Sequence, residues 1–281
     1  MEPATVKIGD IEVRRIGLGT LHLSGPGSWG EPRDSKGARL LLRRAIDLGV
    51  NLIDTADCYG PYATERLVAD ALYPYPDGVH IATKGGKLRT GQFTSWPVNG
   101  RPSYLRQACE GSLQRLRLDR IDLYQLHAVD PEVPIEESVG ALADLQAEGK
   151  IRQIGLSNVT EDEVIRAQIV TPIASVQNRF NLSDRHAEGA LELCDRHGLA
   201  FLPWQPLAYD GDTAARRLIA EVANSQHVTP AQIALAWLLA RSTRIVVIPG
   251  TSSANHLKQN VAAARCKLTC EQVAALSDAF V

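Results

Sequence analysis

The sequence has few of the features that mark secreted, membrane or nucleic-acid-binding proteins. Its five cysteines are an odd number without a CxxC pair, which argues against a disulfide framework or a paired-cysteine metal site. Its most apolar stretch, "AQIALAWLLA", is about half as long as a helix that crosses a bilayer. The first residues, "MEPATVKIGDIEV", have neither a basic start nor an apolar run, so we expect no signal peptide.

Charge and composition point to an ordinary globular protein. The formal net charge of -2 provides no basic surface for nucleic acid or an anionic membrane. With 281 residues, 44% of them hydrophobic, the chain can bury a core without disulfides or metals. We therefore expect a cytoplasmic protein with reduced thiols and a single domain over residues 1–281. A monomer is compatible with this composition, which leaves the number of subunits open.

Short apolar runs alternate with longer amphipathic segments along the chain. The runs are rich in branched aliphatic residues and have strand length, and the segments between them have helical spacing. In the first of these helical segments, Leu40, Leu41, Ala45 and Leu48 form the predicted apolar face. Eight such units predict a (β/α)8 TIM barrel with a parallel sheet covered by helices. The eight runs are "RIGLGT" (15–20), "VNLIDT" (50–55), "VHIATK" (79–84), "IDLYQLH" (121–127), "IRQIGLS" (151–157), "IASVQN" (173–178), "LAFLPW" (199–204) and "RIVVIPG" (244–250).

A doubly wound sheet is the alternative fold for this pattern. It would usually carry a glycine-rich phosphate turn that opens a helix directly after the first strand. The stretch "GLGTLHLSG" has glycines in that place, but no helical pattern opens behind them, so the barrel is favoured. Before the barrel, "VKIGDIEVRRIG" predicts a β-hairpin around Gly9 and Asp10 that closes the barrel floor. After the third strand, residues 85–101 form a long polar loop that we expect over the mouth.

Polar and aromatic side chains gather where the predicted strands end. Asp54 ends the second strand and Tyr59 follows it, Lys84 ends the third strand, and His127 ends the fourth. Taken alone, each has a plain structural explanation, such as a turn cap, an exposed lysine or a core histidine. Because TIM-barrel chemistry is found at the carboxyl ends of the strands, their succession on three strand ends favours an active site.

These four side chains could polarise and protonate a carbonyl group. A phenol holds its proton at neutral pH, and a nearby ammonium would make Tyr59 a readier donor by stabilising the phenolate. Asp54 would compensate the charge of Lys84 in an apolar pocket. A neutral His127 could direct the carbonyl by a hydrogen bond, and Tyr59 could protonate the alkoxide as hydride arrives. The hydride would require a cofactor, because no side chain can donate it.

The chain resembles the aldo-keto reductases along nearly its whole length. "NLIDTADCYG" resembles the strand-two signature of that family, "IATKGG" its lysine segment and "LYQLH" its histidine segment. "GKIRQIGLSN" and "VQNRFN" are similar to the segments that hold the nicotinamide carboxamide, and "IPGTSSANHLKQN" to the C-terminal cofactor loop. The resemblance implies a TIM barrel that binds NADPH, and NADH less readily, without a Rossmann fold and without a metal.

The resemblance also implies a role for individual residues. Tyr59 is the implied general acid, with Lys84 and Asp54 tuning it and His127 orienting the carbonyl. The implied cofactor contacts are Gly19 and Thr20 at the nicotinamide ribose, Ser157, Asn158 and Gln177 at the carboxamide, Trp204 stacked on the nicotinamide, Gln205, Pro206 and Leu207 along the pyrophosphate, Thr251, Ser252, Ser253 and His256 at the 2′-phosphate, and Gln259 and Asn260 at the adenine, with Asp54 and Gly250 as further contacts.

The sequence departs from the family pattern in three places. Members often have an arginine where His256 stands, and a histidine is a weaker and pH-dependent partner for the 2′-phosphate. Trp204 occupies a position where tyrosine is common, although an indole can also stack. The chain ends soon after "LSDAFV", without the long C-terminal loop of many mammalian members. We therefore expect an open pocket, with Leu21, Trp29, Trp96 and His127 on the substrate side.

A narrower resemblance suggests a substrate, and two other functions stay open. "LSGPGSWGEPRD" and "YGPYATERLVADALYPYPDG" resemble bacterial pyridoxal reductases, which implies pyridoxal as one small-molecule carbonyl substrate. A metal-dependent hydrolase on the same barrel would use Asp54, Asp57 and His127, but the sequence lacks an HxH or HExxH pair. A nucleotide-binding regulatory barrel of the potassium-channel β-subunit type is the third hypothesis, although all four catalytic positions are filled.

Overall fold

The structure is a computed structural model that describes residues 5–92 and 95–280. Two antiparallel strands come first, and seven parallel strands then neighbour one another in chain order. The strands are β1 (Thr5–Ile8), β2 (Ile11–Arg14), β3 (Leu18–Gly19), β4 (Leu52–Asp54), β5 (His80–Gly85), β6 (Ile121–Leu126), β7 (Ile151–Ser157), β8 (Ser175–Gln177) and β9 (Ala200–Phe201).

Residues 244–250 close the parallel sheet into a barrel. They bridge one edge of the sheet at Phe201 and Ile245, and the other edge at Gly19 and Gly250, in both cases in parallel. This segment is the predicted eighth strand, but it pairs through isolated bridges rather than a continuous ladder. Pro249 has no N–H to donate, which interrupts such a ladder. The prediction of a (β/α)8 barrel is confirmed, with its last strand reduced to these bridges.

The N-terminal hairpin fills the floor of the barrel, as predicted. Its turn is at Gly9, whose φ of 61° is in the left-handed region that glycine adopts without strain. Ile8 and Ile11 are fully buried and pack with side chains from inside the barrel, among them Leu52 and Leu123. Because the hairpin covers this end, only the carboxyl ends of the strands offer an open mouth.

Helices cover the outside of the barrel. In the first of them the buried face consists of Ala38, Leu41, Leu42 and Ala45, a spacing of three, four and seven residues. Leu40 was predicted on this face, but it lies beside it and is 53% exposed. In the described part of the chain, no helix has the length and apolarity needed to cross a membrane. The helices are α1 (Ser35–Asp47), α2 (Ala63–Leu72), α3 (Pro102–Leu116), α4 (Ile135–Ala147), α5 (Glu161–Val170), α6 (Glu188–His197), α7 (Thr213–Ser225), α8 (Pro230–Arg241), α9 (Ala254–Ala262) and α10 (Cys270–Ala279).

The long loop after β5 begins as an ordered hairpin. Lys87 pairs with Val98 in an antiparallel bridge, and Leu88 N donates to Pro97 O at 2.7 Å. Residues 93 and 94 of the predicted loop 85–101 lie outside the described residues. The paired base of the loop stands at the mouth of the barrel, next to Trp96.

Candidate active site

A cavity of about 560 Å³ opens at the carboxyl ends of the strands. Its volume is within the range of small-molecule pockets. A wider groove of about 1450 Å³ adjoins it between the loop after β3, helix α1 and Ser252, and the two share Leu21 and His22. The cavity is lined by Gly19, Thr20, Leu21, His22, Asp54, Tyr59, Lys87, Trp96, His127, Ser157, Asn158, Gln177, Trp204, Gln205, Pro206, Ile248 and Gly250.

Lys84 lies between the carboxylate of Asp54 and the phenol of Tyr59, as the sequence predicted. It is fully buried at the end of β5, and its Nζ donates to Asp54 Oδ2 at 2.6 Å and to Thr55 O at 2.8 Å. The Oη of Tyr59 lies 3.5 Å from the same Nζ. The three predicted side chains therefore meet beneath the cavity, with Lys84 between the other two.

Asp54 is held on its other side by two amides. Its Oδ1 accepts hydrogen bonds from Gln177 Nε2 at 3.0 Å and from Gln125 Nε2 at 3.2 Å. Both carboxylate oxygens thus have donors, as a buried charge requires. Gln125 was missed in the sequence, although strand periodicity places it on the same inward face as His127, two residues later. A polar residue at an inward position of an apolar strand was the available signal.

Burial has the largest effect on the pKa of Tyr59. The side chain is 9% exposed, and burial, followed by the charge of Asp54, raises its pKa well above that of a free phenol. The ammonium of Lys84 lies 3.5 Å from the phenol oxygen but donates its short hydrogen bond to Asp54, and the effect of burial on the pKa of Tyr59 outweighs that of this charge. A phenol in this environment keeps its proton until a strong base, such as an alkoxide, is close to it.

His127 lies beside Tyr59 and is neutral. The two rings are 5.9 Å apart between centroids and nearly perpendicular. Burial, together with the charges of Lys84 and Lys87, lowers the pKa of His127 well below its usual value. Its Nδ1 lies 3.4 Å from Cys58 Sγ, so Nε2 is the ring nitrogen left for a substrate. Cys58 was not singled out in the sequence, because only the fold brings it to His127.

A second cluster behind the cavity resembles a metal site in composition. Asp57, Cys58 and His127 each bring a ligating atom to within 4.8 Å of the others. Burial raises the pKa of Asp57 and of Cys58. Asp54, the third group of the hydrolase hypothesis, is bound to Lys84. The hydrolase hypothesis therefore keeps Asp57 and His127 together but loses Asp54 to an ion pair.

The opposite wall of the cavity holds the residues predicted for the carboxamide and the nicotinamide ring. Asn158 has a φ of 57°, a left-handed conformation that asparagine tolerates. Its Nδ2 donates to His127 O at 2.9 Å and to Ser157 Oγ at 3.0 Å, and its Oδ1 accepts from Trp204 Nε1 at 3.1 Å. These bonds hold the indole at the edge of the cavity, which Gln177 also lines.

The residues predicted for the 2′-phosphate and adenine lie outside the cavity, around the start of α9. The N-terminus of this helix is capped by Ser253, whose Oγ accepts from His256 N at 3.4 Å. His256 is exposed, while Asn260 is buried. Ser252 lines the wider groove. Also outside the cavity lining are Leu207, Thr251, Ser253, His256, Gln259 and Asn260.

On the substrate side, two of the three predicted apolar residues line the cavity. Leu21 and Trp96 do so, whereas Trp29 does not. The guanidinium of Arg89 lies over both indoles, 4.2 Å from the ring of Trp96 and 5.7 Å from that of Trp29. Trp29 therefore belongs to the outer support of the rim. The cavity is also lined by His22, Lys87 and Ile248, which the sequence did not predict.

Comparisons with known proteins agree with this geometry. The model of the aldo/keto reductase family matches residues 15–280. An uncharacterised oxidoreductase of Schizosaccharomyces pombe is 43% identical over 99% of this chain and 90% of its own length. Pyridoxine 4-dehydrogenase of Escherichia coli is 40% identical over 98% of both chains.

The comparison with solved structures provides evidence on the cofactor. An aldo-keto reductase from Klebsiella pneumoniae, solved in complex with NADPH, superposes with a TM-score of 0.85 at 31% identity, over 100% of this chain and 96% of that one. The family, fold and NADP(H) cofactor implied by the sequence resemblance are thereby confirmed. The chain belongs to the aldo/keto reductase family, and its activity is the NADP(H)-dependent reduction of an aldehyde or ketone to the alcohol.

Proposed function

We propose that this enzyme reduces pyridoxal to pyridoxine, with Tyr59 as the proton donor. The observation that carries the catalytic assignment is the contact of Lys84 Nζ with both Asp54 and the phenol of Tyr59. The choice of substrate is supported by the similarity to pyridoxine 4-dehydrogenase, which extends over 98% of both chains. The cavity of about 560 Å³, with Trp96 in its wall, has room for an aromatic aldehyde beside a nicotinamide.

Each polar group at the cavity floor has a separate task in this proposal. His127, neutral and fixed by Cys58, donates from Nε2 to the carbonyl oxygen and so directs the carbonyl toward Tyr59. Tyr59 donates its proton to that oxygen as the alkoxide forms. Lys84 then lies 3.5 Å from the phenolate that remains and stabilises it. Asp54 holds the ammonium of Lys84 in place through a bond of 2.6 Å.

The residues present fit NADPH, which supplies the hydride when it is bound. Among the described residues, Thr20 Oγ1 and Asn260 Nδ2 are buried side-chain atoms without a hydrogen-bond partner. They are at the two ends of the predicted cofactor site, where a ribose and an adenine would satisfy them. We assign Ser157, Asn158 and Gln177 to the carboxamide and Trp204 to the nicotinamide ring, because they form one wall of the cavity.

The regulatory hypothesis has less support than the enzymatic one. A barrel kept only for binding does not need a buried lysine between a carboxylate and a phenol, since burying charges is costly. For the cellular location we propose the cytoplasm. All five cysteines are free and three of them are buried, which suits a reducing compartment.

Two measurements on the purified protein test the proposed function. Titration with NADPH should quench tryptophan fluorescence at micromolar concentration, because Trp204 lies at the assigned nicotinamide wall, and NADH should bind more weakly. Absorbance at the NADPH band should then fall when pyridoxal is added, and pyridoxine should be the product. Tight NADPH binding with turnover of other aldehydes but none of pyridoxal would refute the substrate assignment alone.

A further inference from the structure

An unpaired cation lies in the part of the cavity that we assign to the substrate. Lys87 lines the cavity beside Tyr59, Trp96 and His127. It is half-buried, and within residues 5–92 and 95–280 its ammonium makes no ion pair or hydrogen bond. Burial lowers the pKa of Lys87, as expected for an amine that has lost water without gaining a partner.

Among the described residues that line the cavity, none is free to neutralise this charge. Asp54 is the one acidic residue in the lining, and its carboxylate is bound to Lys84 at 2.6 Å. The nearby His127 is neutral, and the ammonium of Lys87 contributes to lowering its pKa. The substrate side of the cavity therefore carries one positive charge in excess, within electrostatic reach of the imidazole that directs the carbonyl.

The backbone fixes Lys87 at this place. It is two residues beyond the end of β5, and its bridge to Val98 joins the two arms of the following loop. Leu88 N donates to Pro97 O at 2.7 Å, and Asn99 N donates to Gly86 O at 2.8 Å. A side chain rooted in such a paired segment can be aimed at a ligand more reliably than one on an unpaired loop.

Strand order separates Lys87 from the residues assigned to the carboxamide and to the phosphates of the cofactor. It follows β5, between β4, which leads to Tyr59, and β6, which leads to His127. Ser157 and Gln177 end β7 and β8 on the other side of β6, and Gly250 closes the barrel beyond β9. The excess charge thus faces the substrate rather than the phosphates of the cofactor.

We propose that Lys87 selects carbonyl substrates that carry an anionic oxygen, a carboxylate or a phenolate, a few bonds from the carbonyl carbon. This inference rests on the proposed function. An anionic oxygen would supply the partner that Lys87 lacks, and hydrogen bonds between charged groups are about twice as strong as neutral ones. Pyridoxal belongs to this class, because the ring hydroxyl next to its aldehyde ionises readily.

A matched pair of substrates tests the selection. Meta-carboxybenzaldehyde and meta-nitrobenzaldehyde have the same shape, but only the first is an anion. In Lys87→Met the ratio of their kcat/KM values, charged over neutral, should fall by about 10- to 100-fold. Lys87→Arg should keep the ratio within about threefold of the wild type. Lys7→Met, on the exposed face of β1 at the barrel floor, is the control and should change neither value.

An unchanged ratio in Lys87→Met would overturn the proposal. An equal loss for both aldehydes is one such outcome, because it leaves the ratio unchanged. It would mean that Lys87 acts on the fold or on His127 and not on the charge of the substrate.

A binding measurement separates this proposal from the proposed function. Benzoate should bind to the enzyme–NADP+ complex in calorimetry, and Lys87→Met should weaken its binding by about 10-fold or more. If the wild type fails to reduce pyridoxal while benzoate binding still depends on Lys87, the proposed function fails and the anion site stands. If benzoate binds equally to both proteins, the anion site is refuted whatever the turnover.

Discussion

The two ends of the assigned cofactor site are built in different ways. At the inner end, the carboxylate of Asp54 accepts from Lys84, Gln125 and Gln177, so each of its oxygens has a donor. At the outer end, around the start of α9, His256 is exposed and Asn260 Nδ2 has no partner among the described residues. The inner end is organised before any ligand arrives, whereas we propose that the ligand completes the outer end.

This difference indicates where each property of the enzyme is determined. A group that acts on a reacting atom gains from being rigid and desolvated, because its charge then acts in a medium of low polarity. A group that distinguishes NADPH from NADH touches one phosphate at the surface, where water and salt weaken the contact. Substitutions at the inner end should therefore have large effects on catalysis and stability, and substitutions at the outer end should have small effects on cofactor choice.

Removing the phenol oxygen of Tyr59 should have the largest effect on catalysis. In Tyr59→Phe, kcat for carbonyl reduction should fall by about 100- to 10,000-fold, because the alkoxide loses its proton donor. The dissociation constant for NADPH should stay close to that of the wild type. Tyr62→Phe is the control, since Tyr62 is 45% exposed and does not line the cavity. Steady-state kinetics would contradict the assignment if Tyr59→Phe retained more than about a tenth of the turnover.

The buried ion pair between Lys84 and Asp54 should contribute to the stability of the fold. In Lys84→Met the free energy of unfolding should fall by about 3–5 kcal/mol, because Asp54 keeps a buried charge without its cation. The double variant Lys84→Met/Asp54→Asn should recover part of this loss. Lys87→Met is the matched control and should cost far less, since this lysine has no ion pair among the described residues. Urea unfolding curves that coincide for Lys84→Met and Lys87→Met would contradict this account of the inner end.

His127 should make the fold sensitive to mild acid. Its pKa in the folded protein is lowered by burial, so the unfolded chain binds the proton first as pH falls. The stability that depends on neutral His127 is complete above the ordinary histidine pKa of about 6.5 and is lost below it, by up to about 1.4 kcal/mol per pH unit.

Replacing the imidazole isolates this effect from other titrating groups. His127→Gln keeps a polar side chain without the titration, so its stability should fall less than that of the wild type between pH 7.5 and pH 5.5. Asp57, whose pKa is raised, affects both proteins equally and cancels from the difference. Parallel losses in urea melts of the two proteins would show that His127 is not the buried neutral group.

Much of the inner end follows from strand pattern alone. The bounds of β7, Ile151–Ser157, agree with the predicted run, and the predicted ends of the second, third and fourth strands deliver Asp54, Lys84 and His127 to one mouth. This succeeds because a barrel strand has a single direction and its carboxyl end has one position in the fold. The order of residues in the sequence then largely determines their order around the mouth.

Other features depend on the three-dimensional surroundings and could not be predicted in this way. The direction of the Tyr59 pKa shift was predicted wrongly, because desolvation depends on every element that covers the ring. Trp29 lies in a loop, where no periodic sequence pattern indicates how far a side chain lies from the cavity. Lys87 is significant because it has no ion pair or hydrogen bond from its ammonium among the described residues, and a sequence does not show which side chains fail to meet.

The affinity for NADPH should depend on one exposed side chain at the outer end, that of His256. In His256→Arg, NADPH should bind about 1.5- to 5-fold more tightly, the range typical of exposed charge pairs, because an arginine is always charged and can hold a phosphate with two donors. NADH lacks the 2′-phosphate, so its dissociation constant should not change. Added salt should reduce the gain, since the contact is at the surface.

The control for this variant places the same substitution at the other end of the barrel. His197→Arg, in the last turn of α6, is also exposed and lies outside the cavity and the groove. It should leave both nucleotides unaffected in fluorescence titrations. Equal tightening of NADPH and NADH by His256→Arg would place this side chain away from the 2′-phosphate. Cofactor preference would then have to be determined by buried groups such as Asn260, and the contrast between an organised inner end and an adjustable outer end would no longer hold.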